Sequence, residues 1–112
     1  MDDLIEQALL FDYYGELLTQ QQRKIYQEVY FDDYSPSEVA EDEGISRQGI
    51  HDMLRRTGRT LADYEAKLGL VKRHNELRLI TEEIEEAAVR LADGDKNALA
   101  VIRSLCLKLR ED

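Results

Sequence analysis

The run from Ser35 to Arg55, SPSEVAEDEGISRQGIHDMLR, constrains this chain more than any other feature. Ser35 can cap the first backbone N–H groups of a helix, Pro36 suits the first helical position, and Glu38 completes a capping box. That helix must be short, because Gly44 stands where a left-handed residue would stop it. Ser46 then caps a further helix starting at Arg47. Ala40 is small where a crossing helix has to approach, and Val39, Ile45, Ile50 and Met53 offer a shared apolar core. Two helices around a tight turn of this kind form a helix-turn-helix. An ordinary helical hairpin uses the same packing and is the plainer alternative.

Apolar residues recur at helical spacing on both sides of this run. Residues 2–18 carry Leu4, Ile5, Ala8, Leu9, Tyr13, Leu17 and Leu18 and predict a first helix; Gly15 inside it either admits a close neighbour or is simply tolerated. Thr19 and Gln22 predict a capping box for a second helix, with Ile25, Tyr26, Val29 and Tyr30 on its apolar face. Phe31 to Tyr34 reads as a loop. The helix from Arg47 extends to about Leu68 on Ile50, Met53, Leu54, Leu61, Tyr64 and Leu68, with a bend expected at Gly58 and a stop at Gly69. Asp93-Gly94-Asp95 reads as a turn capped by Asp95. The last helix then carries Ala98, Leu99, Ile102, Leu105, Cys106 and Leu109 on one face. The expected fold class is all-α: a helix-turn-helix bundle over residues 1–69, then a C-terminal helical hairpin over 70–112.

Between these regions Leu70, Leu77, Ile84 and Leu91 recur every seven residues, with Ile80 and Ala87 among them. Such a seam is too short to define a coiled coil. It packs on the last helix of its own chain or pairs two chains. A separate two-helix unit buries little alone, so a homodimer through Leu77, Ile80, Ile84, Ala87 and Leu91 is the expectation.

Charge bounds the partners. The net charge of −9 opposes nonspecific coating of a polyanion. The charge is uneven, however. Residues 1–45 hold 2 basic and 12 acidic residues, residues 46–73 hold 7 basic and 3 acidic, and residues 74–112 hold 6 basic and 9 acidic. The positive band contains the second helix of the motif, the element that enters the major groove in proteins of this class. Its candidate nucleic-acid contacts are Arg47, Gln48, His51, Arg55, Arg56 and Arg59. Arg suits guanine edges and phosphates, and Gln suits adenine. A solvated basic face is the bland reading of the same residues. Asp52 in that surface, and Glu38, Glu41, Asp42 and Glu43 on the helix that would lie near phosphates, oppose tight duplex binding.

Other chemistry is not signalled. There is no phosphate loop or dinucleotide fingerprint. His51 and His74 lie far apart without a cysteine cluster, so neither a metal nor a cofactor is expected. Cys106 is expected as a buried small hydrophobe, and Glu82-Glu83 and Glu85-Glu86 as a solvated face rather than a catalytic pair. A non-enzymatic protein is the expectation. The single cysteine, the acidic N-terminus and the lack of a long apolar stretch predict a cytoplasmic protein with no membrane partner.

The chain also resembles known families. Leu18-Thr19, Gln22-Arg23, Tyr30, Asp33-Tyr34-Ser35, Glu38, Ala40-Glu41, Gly44 and Ser46 resemble region four of sigma factors. A closer resemblance, over residues 8–69, is to the YlxM family of helix-turn-helix proteins. It is carried by Leu10-Phe11-Asp12-Tyr13-Tyr14, Leu17-Leu18-Thr19, Asp33-Tyr34-Ser35, Ser46-Arg47-Gln48, Arg55-Arg56-Thr57 and the stretch from Leu61 to Leu68. Residues 70–112 match only in being helical. The YlxM resemblance implies an accessory or regulator of the signal recognition particle pathway. The implied partners are the particle's GTPase, its receptor or its small RNA. A DNA-binding transcriptional regulator is the alternative from a different class, and a purely structural oligomer is the third.

Overall fold

A computed structural model describes residues 3–111. Those residues form six α-helices and no strand: α1 Asp3–Tyr14, α2 Gln20–Tyr30, α3 Pro36–Glu43, α4 Arg47–Leu68, α5 Leu70–Ala92 and α6 Ala98–Glu111. The expected helical positions at Asp2 and Asp112 lie outside the described residues. The all-α class is as expected. The helix starts follow from cap chemistry. Thr19 and Gln22 exchange backbone and side-chain hydrogen bonds at 3.1 Å each, and Ser35 and Glu38 do the same at 3.1 Å each. Ser46 Oγ accepts from the Gly49 N–H at 3.0 Å. Each bond satisfies a donor that the helix itself leaves open.

The chain divides into two compact units after Val71. In the first, Tyr14, Leu18, Ile25, Tyr26, Val39, Ala40, Ile50, Leu54, Leu61 and Val71 form the buried core. α4 runs through it and touches α1, α2 and α3. Burying a large apolar side chain of this kind stabilises the fold by about 1.5–3 kcal/mol.

Two details differ from the expected pattern. α1 ends at Tyr14, and Gly15–Leu17 forms a single 3-10 turn, so the anticipated 2–18 helix is broken. The break changes the phase of the apolar face. Leu4, Ile5, Tyr13 and Leu17 are exposed, whereas Tyr14 and Gly15 are buried. Phe11 fills the face instead, stacking on Tyr26 at 5.7 Å and meeting Phe31 at 5.3 Å between ring centres. Second, α4 continues through Gly58 without interruption, and its end at Leu68 is exposed rather than core. Tyr64 packs against the core as expected, half-buried and stacked on Tyr14 at 5.8 Å.

A polar knot closes this unit. The Tyr14 hydroxyl donates to Glu65 Oε1 at 2.6 Å and accepts from the Leu70 N–H at 3.0 Å. The Val71 N–H donates to the same Glu65 oxygen at 2.9 Å. Gly69, with φ +65°, turns the corner between α4 and α5 in the left-handed conformation that glycine adopts without penalty.

The second unit, from Lys72, is an antiparallel hairpin. Glu76, Leu79, Ile80 and Glu83 of α5 line one depression with Lys108 and Glu111 of α6, so the end of α6 returns beside the start of α5. Ala87, Ala98 and Leu105 are its buried apolar residues. The connecting turn uses Gly94 at φ +101°, and Asp95 Oδ1 accepts from the Asn97 N–H at 3.1 Å ahead of α6.

Candidate nucleic-acid interface

The interface is built on the turn between α3 and α4. Gly44 adopts φ +68°, ψ +31°, the left-handed conformation expected of it, and the N–H groups of Gly44 and Ile45 both reach the Ala40 carbonyl. Val39 and Ala40 are buried on α3, and Ile50 and Leu54 on α4. A β-carbon on Gly49 would lie 2.6 Å from Ile45 Cγ2, so this glycine is required for the turn to pack onto the first turn of α4. Sequence reasoning passed over Gly49. Its signal was a glycine three residues after a capping serine, where glutamate is the usual choice.

Arg47, Gln48, His51, Arg55, Arg56 and Arg59 are all exposed along α4. The first four lie on the turns nearest α3. There Asp52 is engaged: its Oδ1 accepts from Gln48 Nε2 at 3.3 Å and pairs with the Arg55 guanidinium. Two groups anticipated as base readers are therefore tied to a carboxylate beside them. Arg47, Arg56 and Arg59 form no ion pair among the described residues. Farther along, Arg56 and Arg59 line an open groove of about 470 Å³ with Thr19, Gln21, Gln22, Met53 and Thr60.

The acidic face of α3 is partly answered from within the chain. Lys24 on α2 pairs with Asp42 and Glu43 as well as with Glu28 on its own helix. Its ammonium is held above the usual lysine range, chiefly by the hydrogen bond to Glu43. Glu38 is occupied at the Ser35 cap, which leaves Glu41 exposed. The repulsion expected from four carboxylates is thereby reduced, a long-range pairing that sequence spacing does not reveal.

The anticipated dimerisation residues lie on one side of α5. Ala87 is fully buried and Leu77, Ile80, Ile84 and Leu91 are half-buried, so the seam is shared with α6 of the same chain. Cys106 is half-buried rather than enclosed. No group of three or more metal-ligating side chains gathers among the described residues. None of the described helices is long and apolar enough to cross a membrane.

Turn, caps and crossing core together define a helix-turn-helix protein. The family described as "Putative helix-turn-helix protein, YlxM / p13 like", UPF0122, matches residues 1–100, and the chain belongs to it. The match reaches through α5 into the start of α6, well beyond the expected 8–69. Relatives include the UPF0122 protein of Thermoanaerobacter pseudethanolicus, 39% identical over 98% of this chain and 96% of the relative. The UPF0122 protein of Symbiobacterium thermophilum is 38% identical over 93% and 98%. That of Caldanaerobacter subterraneus is 48% identical over 76% and 73%.

Proposed function

We propose that this chain is a non-enzymatic regulatory protein that holds nucleic acid on its helix-turn-helix unit. The observation that carries the reading is that Arg47, Arg56 and Arg59 on α4 form no ion pair among the described residues, in a chain that is otherwise strongly acidic. An unpaired guanidinium is available to a phosphate oxygen at no cost in broken ion pairs.

Its setting, in this proposal, is the signal recognition particle pathway, in the cytoplasm. That part rests on the YlxM resemblance between Leu10 and Leu68. The small RNA is the nucleic-acid partner, and the particle's GTPase or its receptor the protein partner. Two copies of the chain associate through the C-terminal hairpin. The second reading is a DNA-binding transcriptional regulator, favoured by the helix-turn-helix itself. Against it, Gln48 and Arg55 are engaged with Asp52 where a reading helix would meet base edges.

A pull-down of the full chain from bacterial lysate, with RNA and protein both identified, tests the setting. Enrichment of the small RNA together with the GTPase or its receptor is expected. Enrichment of promoter DNA without either would favour the second reading, and recovery of none of them would remove the first.

A further inference from the structure

We propose that the groove between α2 and α4 is a phosphate cradle, which seats the phosphodiester backbone of a nucleic acid against Arg56 and Arg59. The inference rests on the nucleic-acid reading above and places the main contact away from the start of α4.

The chemistry of the lining carries it. Arg56 and Arg59 stand three residues apart, so both guanidinium groups emerge on one side of the helix. Across from them are Thr19, which caps α2, and Gln21 and Gln22 in its first turn. The capping box engages the acceptor oxygens of Thr19 and Gln22 on that wall. Gln22 Oε1 accepts from the Thr19 N–H, and Thr19 Oγ1 accepts from the Gln22 N–H. What Gln22 has left to offer is its amide N–H₂, and what Thr19 has left is its hydroxyl proton. Thr60 alone spends its proton within the helix, on the Arg56 carbonyl at 3.0 Å. Among the described residues no carboxylate lines the groove. Two cations facing the amide N–H₂ groups of Gln21 and Gln22 and the Thr19 hydroxyl suit an acceptor-only anion, and a phosphodiester oxygen is that anion. The surface near α3 is the opposite case: Glu28, Glu38 and Asp42 line the depression there, with Tyr34 and Val39. Phosphate is therefore drawn to the groove between α2 and α4 and repelled from the acidic depression between α2 and α3. This differs from the docking in which the first helix of the motif lies across the backbone.

The cap permits an unusually clean test. In Gln22→Glu the carboxylate still accepts from Thr19, as glutamate does in the usual capping box, so α2 keeps its start. The groove, however, loses a donor and gains an anion. Fluorescence anisotropy of the full chain against a labelled RNA stem-loop and a labelled DNA duplex reads the outcome. Gln22→Glu and the pair Arg56→Gln with Arg59→Gln should each weaken binding at least about tenfold, the equivalent of a lost charge-assisted contact. Removing both arginines should lower the salt dependence by about one unit of slope per residue. Arg47→Gln should weaken binding less than the double variant. Thermal melting should show all variants folded, since the substituted side chains are exposed or lie at a retained cap. Loss on either arm supports the cradle and identifies which backbone it holds. Wild-type affinity in both Gln22→Glu and the double variant would overturn the cradle and leave the nucleic-acid reading standing. Absence of binding by the unaltered chain on both arms would overturn that reading as well.

Discussion

Thr57 is 1% exposed, midway along α4 between Leu54 and Leu61, and its hydroxyl oxygen has no hydrogen-bond partner. A buried hydroxyl without a partner forfeits its hydration and regains nothing. Thr57→Val keeps the shape and removes the polar atom, so it should stabilise the protein by about 1 kcal/mol in urea denaturation. A destabilised variant would mean that the hydroxyl is bonded in solution. Tyr14 is the reverse case, a buried phenol with partners. Burial first, and the hydrogen bond to Glu65 next, raise its pKa above the ordinary 10.0. The folded state thus holds this proton more tightly than the unfolded chain. Stability from it is complete below pH 10 and declines as pH rises from there towards the folded value. Burial raises Tyr26 in the same direction, so the decline has two sources. Tyr14→Phe should lose about 1–3 kcal/mol at neutral pH, because the Leu70 N–H and Glu65 lose a partner. It should also show a shallower alkaline decline, and an unchanged decline in a pH series of denaturation curves would contradict this account. The choice of Tyr14 over Tyr13 as the core residue was not legible from spacing. Both sit in an apolar run, and only the point where α1 stops decides between them.

At the scale of elements, what could be read depended on range. Caps at Thr19, Ser35 and Ser46 were legible because donor and acceptor lie three residues apart. The left-handed stops at Gly44 and Gly69 were legible for the same reason: the conformation is local and few residues tolerate it. The pairing of Lys24 with Asp42 and Glu43 was not, since it joins residues 18 and 19 apart. Nor was the groove that sets Arg56 and Arg59 against Thr19, Gln21 and Gln22, which depends on α2 and α4 meeting. Gly49 falls between these cases. Gly49→Ala would drive a methyl group to 2.6 Å from Ile45 Cγ2, a branched side chain with little room to swing away. The gain in helix propensity is about 1 kcal/mol, and overpacking costs about 1–3 kcal/mol. A net loss of up to about 2 kcal/mol in the denaturation midpoint is therefore expected, and a net gain would show that the turn can open.

At the scale of the molecule, the C-terminal hairpin leaves too much apolar surface bare. α6 carries an apolar face, and further apolar residues lie outside the part of it that is buried. Leu105 faces the hairpin, yet Leu99, Val101 and Leu107 are 49%, 40% and 54% exposed. The same two helices carry charges that form no ion pair among the described residues: Glu83, Glu85 and Glu86 on α5, and Arg103, Lys108 and Arg110 on α6. A patch carrying both signs complements a second copy of itself across a two-fold axis. Sedimentation equilibrium should show a concentration-dependent dimer that Leu99→Glu with Leu107→Glu converts to monomer. A monomer at every concentration would reject the pairing.

The Tyr14–Glu65 knot has one more consequence, for where this chain can be cut. Its last two members, the amides of Leu70 and Val71, belong to the opening turn of α5. A protease that severs α5 beyond that turn removes the hairpin and leaves the core sealed. A cut at Gly69 instead strands a buried phenol beside a carboxylate. Digestion should therefore yield a durable N-terminal fragment ending past Val71, and a fragment shortened to end at Gly69 should be perishable.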